Sequence, residues 1–161
     1  MPLRKRVIDS HSTAPPIDSD DEQWMDVARV ASAEVTSEDP KYPLESALLP
    51  EREGQWRAAR PGEQIIRLVF DEPRHLRRIE LVFDEPDVAR TQEFVLRWSP
   101  DGGRTLREIV RQQWNFSPGG STRQVEQYRV DVVGATLLEL AIVPDISRGE
   151  ARASLARWRL A

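Results

Sequence analysis

The chain has no cysteine, two histidines, two methionines and two tyrosines in 161 residues, and Lys5 and Lys41 are its only lysines. The lack of cysteine excludes disulfides, a thiolate nucleophile and the sulfur ligands that most structural zinc sites use. It suits a reducing compartment, and a cytoplasmic setting is the expectation. No apolar run approaches the roughly 18 residues of a membrane span, so no membrane partner is expected. The opening residues MPLRKRVIDSHSTAPPIDSDDEQ carry no apolar core behind their basic start, unlike a secretory signal. A formal net charge of −4 gives no global basic excess, which argues against nucleic acid as a partner.

Catalytic machinery is equally sparse. His11 lies in the charged opening stretch and His75 between two apolar segments, and neither has a cysteine to pair with. No serine sits in Gly-x-Ser-x-Gly. Gly102-Gly103 and Gly119-Gly120 lack the Lys-Ser/Thr that closes a phosphate-cradling loop. With no nucleophile–base pair in view, the chain reads as a binding protein and not as an enzyme.

What is present divides into two zones. Residues 1–22 combine Arg4, Lys5 and Arg6, the run Ala14-Pro15-Pro16 and the acidic cluster Asp18 to Glu22, a composition that reads as a flexible charged arm. Asp18, Asp20 and Asp21 lack the glycine and terminal glutamate of a calcium loop, so they read as solvated. From residue 23 to 161, short apolar runs alternate with turn signals about every ten residues, the mark of one all-β domain. Period-two alternation predicts strands over 27–32, 65–70, 78–83, 94–98, 106–110, 128–132 and 138–142, and a last strand through Trp158 and Leu160. Only Pro43 to Leu48 has the spacing of a helical turn. The fold class is therefore all-β with little helix, and about eight strands fit a jelly-roll β-sandwich.

The pentapeptide Val-Phe-Asp-Glu-Pro occurs twice, at Val69–Pro73 and Val82–Pro86. Each copy closes an alternating segment, and proline cannot donate to a ladder, so both read as strand ends. With the two strands taken as antiparallel neighbours, Asp71 and Glu72 lie roughly 20 Å from Asp84 and Glu85 at the usual strand rise. That is too far for a carboxylate pair working on one glycosidic bond.

Several stretches, in order, resemble the discoidin family, also called factor V/VIII type C or galactose-binding-like domains. They are Val30-Ala31-Ser32, Tyr42-Pro43-Leu44-Glu45-Ser46-Ala47-Leu48 with Gln55-Trp56, the strand Phe94 to Ser99 ending in Pro100-Asp101-Gly102-Gly103, and Ala151 to Leu160. Leu106 stands where that family commonly has tryptophan, and Glu139-Leu140 where it has Arg-Leu. The cysteine pair of many secreted members is absent. The resemblance implies a galactose-binding-domain-like sandwich that binds a ligand through loops at one end. It also implies a possible structural calcium held through backbone oxygens, and no other cofactor. More weakly, Lys41 to Gln64, with the run Trp56 to Glu63 before a strand, resembles the N-terminal domain of a single-strand-break repair scaffold, which implies a nucleic-acid alternative.

For such a loop site the candidates are Tyr42, Trp114 and Phe116 as aromatic platforms and Arg111 and Arg123 as hydrogen-bonding forks, gathered around a predicted loop at 115–123. Trp56, Trp98 and Trp158 fall on strand periodicity and read as core, while Trp24 reads as a strand-edge anchor. Glu80, Glu108, Glu126 and Glu139 are available to pair with the arginines across strands. The leading expectation is a non-catalytic module for a carbohydrate or similar polar ligand. A protein partner in an intracellular assembly domain is the alternative, and nucleic-acid binding the second. The sequence leaves the oligomeric state open.

Overall fold

The structure is a computed structural model that describes residues 24–161, so the charged arm and His11 lie outside the described residues. Among the described residues the chain forms eight strands and two single-turn helices: α1 (Val27–Val30), β1 (Ala31–Val35), α2 (Glu45–Leu48), β2 (Trp56–Arg57), β3 (Gln64–Asp84), β4 (Arg90–Ser99), β5 (Arg107–Phe116), β6 (Arg123–Val143), β7 (Ser154–Leu155) and β8 (Arg157–Leu160). The all-β expectation holds, and so does the helical turn inside 43–48. The number of strands also agrees, but only because four predicted segments fuse into β3 and β6 while β2 is added and the last segment divides into β7 and β8.

Segments 65–70 and 78–83 are one strand, not two. A straight strand of 21 residues would run about 70 Å, so β3 has to bend. It does so against β6. Val69 pairs with Leu137 and Arg74 with Ala135, leaving residues 70–73 of β3 opposite Thr136 alone. The first Val-Phe-Asp-Glu-Pro is thus a bulge, where a residue without an N–H disturbs no ladder, with Asp71, Glu72 and Pro73 exposed. Only the second copy terminates the strand. The excess then reverses: His75 faces both Val133 and Gly134, and Gly134 takes φ 79°. Segments 128–132 and 138–142 are likewise one bent strand, β6. The two pentapeptides are not opposed turns of neighbouring strands, so their carboxylates sit along a single chain path.

Bending the antiparallel β3–β6 pair builds both layers from one ribbon. One layer has the order β1, N-terminal half of β3, C-terminal half of β6, β4, β5; the other half of the ribbon carries β8 on β3. The small β2–β7 pair lies beside them. Across the layers Phe83 meets Phe94 with ring centroids 5.3 Å apart, a tilted contact worth about 0.5–1.5 kcal/mol beyond its buried area. Trp56, Trp158, Ile66, Leu68, Leu81, Leu96, Leu138 and Leu140 are fully buried with them. Trp98 is half-buried against this core and covered by Arg107.

The predicted first strand at 27–32 is in fact α1 followed by β1. Val27 and Val30, three residues apart, both face the core from one helical turn, and Ala31 N–H closes the turn on the Val27 carbonyl. Over six residues, that spacing was indistinguishable from alternation. β5 also runs further than expected, to Phe116, which shortens the loop to residues 117–122.

Candidate functional site

Because the β3–β6 ribbon doubles back, its two ends, at Gln64↔Ile142 and Asp84↔Arg123, reach the same end of the sandwich. Gln92 of β4 donates to Gln124 of β6 at 3.2 Å in the core there. Arg90, at the start of β4, donates from Nε to Glu85 Oε1 at 3.1 Å and from Nη1 to the Pro144 carbonyl at 2.7 Å and Gln92 Oε1 at 3.1 Å. These bonds tie the loop after β3, the start of β4 and the loop after β6 into one floor. The Arg90 side chain is 1% exposed and that of Glu85 6%. Burial, first of all, lowers the Arg90 pKa, the Glu85 carboxylate counters it, and the charge of Arg57 pushes in the same direction as burial.

Above this floor lies a cleft of about 240 Å³ lined by Arg57, Glu85, Val88, Glu150, Ala151 and Arg152. Trp56 fills the core, so its neighbour Arg57 projects the opposite way. The Arg57 backbone is zipped to the preceding loop: its N–H donates to the Tyr42 carbonyl at 3.1 Å, and its carbonyl accepts from Asp39 N–H at 2.9 Å. The Arg57 guanidinium lies 5.5 Å from the Tyr42 ring centroid. Its Nε is buried without a hydrogen-bond partner among the described residues, and none of their carboxylates pairs with it. Arg152 reaches Asp39 at 3.8 Å. Asp145, near the floor, accepts from Ser147 N–H and Oγ–H, which hold it below the usual carboxylate range. Glu150 is exposed at the rim, and Val88, 49% exposed, is an apolar wall.

The five residues chosen from sequence do not form one site. Tyr42, 39% exposed, stands beside the cleft under Arg57. Phe116 is 2% exposed and roofed by Arg90 at 4.8 Å, so it offers no ring face to a ligand. Trp114 is half-buried on β5 opposite Gln92, part of a strand and not of a loop. Arg111, three residues away, lies on the other face of β5 and pairs with Glu93 at 2.9 Å and Glu108 at 3.1 Å. Arg123 is exposed at the first position of β6. Among the proposed ion-pair partners, Glu139 holds Arg67 at 2.8 Å and Arg97 at 3.3 Å, and Glu80 holds Arg159 at 2.7 Å. Glu126 instead accepts from Gln124.

The cleft residues Arg57 and Arg152 were missed. Arg57 carried a usable signal, since it follows a core tryptophan on a strand and must face away from the core. Arg90 and Glu85 carried none, because a buried ion pair between residues on either side of a loop has no periodicity. No group of three or more His, Asp or Glu side chains gathers among the described residues.

No family model matches the chain, and no curated protein does. Solved structures do. The family 32 carbohydrate-binding module of NanJ from Clostridium perfringens, in complex with galactose, superposes with a TM-score of 0.61 at 12% identity, over 85% of this chain and 96% of that one. The family 32 module of AlyQ, in complex with 4,5-unsaturated mannuronic acid, gives 0.60 at 14% identity, over 82% and 95%. A pectin-binding carbohydrate-binding module gives 0.58 at 15% identity, over 81% and 89%. The fold is galactose-binding-like. At these identities the likeness establishes the galactose-binding-like sandwich alone, and function has to come from the cleft.

Proposed function

We propose that this chain is a non-catalytic carbohydrate-recognition module that takes a sugar, or a similarly polar ligand, in the loop-end cleft between Arg57, Val88 and Arg152. The observation that carries this reading is the Arg57 guanidinium, oriented by Tyr42 and zipped backbone, with an Nε–H directed to no partner among the described residues. That buried Nε is covered by protein, so a ligand meets the guanidinium through its other nitrogens, which no carboxylate of the described residues holds. Arginine forks donate to vicinal hydroxyls, the Glu150 carboxylate accepts from them, and Val88 meets the C–H face of a ring. At about 240 Å³ the cleft is smaller than the roughly 300–1,000 Å³ of drug-sized sites, so it suits one sugar residue better than an extended chain. Fold neighbours described with bound galactose and with a mannuronic acid derivative support the reading.

A glycan array probed with wild type, Arg152→Ala and Trp114→Ala tests it. Binding that is lost with Arg152→Ala and kept with Trp114→Ala is the expected outcome. Uniform absence of binding, or the reverse pattern, overturns it.

A further inference from the structure

The charges around the cleft sort into engaged and unengaged groups. Glu85 is taken by Arg90, Asp39 by Arg152 and Asp145 by Ser147. Arg57 is left with a stacked aromatic ring, which orients a guanidinium without neutralising it. A second donor is idle just below: Arg90 Nη2 is buried with no hydrogen-bond partner among the described residues. The two guanidiniums are close enough for Arg57 to disfavour the charge on Arg90. A site built only for neutral hydroxyls would gain from a carboxylate partner near Arg57, because hydroxyls both donate and accept. Here the donor side is in excess at the inner wall. The only carboxylate without a partner among the lining residues, Glu150, stands at the exposed rim.

We infer that, within the carbohydrate-binding reading on which this rests, the cleft selects an acidic sugar: a glycuronate residue whose carboxylate is received by the Arg57 fork, with Val88 against its ring and Arg152 at the adjacent hydroxyl. A carboxylate is acceptor-only and planar, and a guanidinium presents parallel N–H donors in one plane, so the two match in both charge and shape. Tyr42 acts as a positioning residue that fixes the plane of the fork. Glu150 opposes the selection from the rim, which sets how strong it is.

The test is calorimetric titration of the full chain with uronate oligosaccharides of galacto, manno and gluco configuration and with their carboxyl-reduced counterparts, which keep the ring stereochemistry and replace each carboxylate by a hydroxymethyl group. At least one acidic ligand is expected to bind about 10-fold or more tightly than its reduced form, less so at high salt. Arg57→Gln, its folding checked by circular dichroism, is expected to erase that difference, weakening the acidic ligand about 10-fold more than its reduced counterpart. Arg57→Lys should restore part of it, since it keeps the charge and loses the fork. Glu150→Gln should widen it, and Arg111→Gln, on the far face of β5, should not change it. Equal affinity for the acidic and reduced forms overturns the inference and leaves the carbohydrate reading standing. No binding of either form overturns both. A preference for acid that survives Arg57→Gln and disappears with Arg111→Gln places the acidic site elsewhere and overturns it too. The wild-type comparison needs no variant, so a misfolded Arg57→Gln leaves the test intact.

Discussion

At the turn after β4, backbone and side chains close on one another. Ser99 Oγ donates to Asp101 Oδ1 at 2.7 Å and accepts from Asp101 N–H and Gly103 N–H. Asp101 also accepts from Thr105 N–H, and Thr136 Oγ1 accepts from Gly102 N–H while donating to the Ser99 carbonyl. At the other end of β4, Arg57 Nε and Arg90 Nη2 lie buried without partners among the described residues. Both ends belong to one sandwich, share the strand between them and contain tight loops with Asp and Ser. The difference lies in the two loops. The 99–105 turn uses its polar groups to hold itself, although Arg74 Nε at the nearby bend is also buried without a partner among the described residues. The unpartnered donors at the other end lie beside an open cleft. Buried donors without partners among the described residues also occur at Trp24, Arg74, Trp114 and Trp158, so it is the coincidence of such donors with an open, charged cleft that points to a ligand there.

The comparison is broken most severely through Arg90. Arg90→Ala strands the buried Glu85 carboxylate and is expected to cost about 3–5 kcal/mol, about 10 °C in Tm, read by urea and thermal unfolding. A Glu85→Leu/Arg90→Met double variant is expected to regain most of that, because a buried pair contributes less than breaking it costs. A loss below about 1 kcal/mol for Arg90→Ala would mean the floor is not dry. At the closed end, Ser99→Ala leaves two N–H donors without their acceptor and should cost about 1–3 kcal/mol with ligand binding unchanged. Gly134→Ala meets no atom within 4 Å, so its expected cost of about 1–2 kcal/mol measures the left-handed backbone of the bend alone. Arg57→Gln is the counterpart: a change within about 0.5 kcal/mol in stability, with its effect confined to binding.

Much of this architecture was legible in the residues. Ile66, Leu68 and Phe70 alternate because β3 is buried on one side there, and they are 0%, 0% and 6% exposed. The resemblance carried by Tyr42 to Trp56 and Phe94 to Gly103 led to the correct fold. Pro73 misled: a proline after two acidic residues reads as a stop, yet it sits in a bulge where no ladder hydrogen bond is required. What decides between stop and bulge is the partner strand, and Gly134, sixty residues on, supplies the matching slack. The site was less legible for a related reason. Tyr42 was found because an exposed aromatic in a loop is conspicuous, whereas Trp114 and Phe116 were misplaced when β5 continued past its predicted end. Arg57 and Arg152 come together only through the β2–β7 pairing of Trp56 with Leu155, a contact across about a hundred residues that no local pattern encodes.

The smallest expected effect sets the two ends against each other through one local motif. Asp101 and Asp145 each accept hydrogen bonds from a nearby serine and from backbone N–H groups, and these hold both carboxyls below their ordinary 3.8. On the outer face of the second layer Glu80 also lies below its ordinary 4.5: burial would raise it, but the hydrogen bonds from Gln127 and Arg159 together with the charges of Arg159 and Arg157 outweigh burial. For a carboxyl whose folded pKa is depressed, the stabilisation is complete above the unfolded pKa and is lost as pH falls through the folded value. Tm is therefore expected to be flat from neutral pH down to about 5 and to fall below about 4. Asp101→Asn and Asp145→Asn should each make that fall shallower. A variant that lowers Tm equally at pH 7 and pH 3 would mean its hydrogen bonds, not its charge, matter. If Asp101→Asn alters the acid limb and Asp145→Asn does not, the 145–150 loop does not hold its turn in solution. Arg57 would then face a wall that is not preorganised, and the selectivity for an acidic sugar should shrink with it.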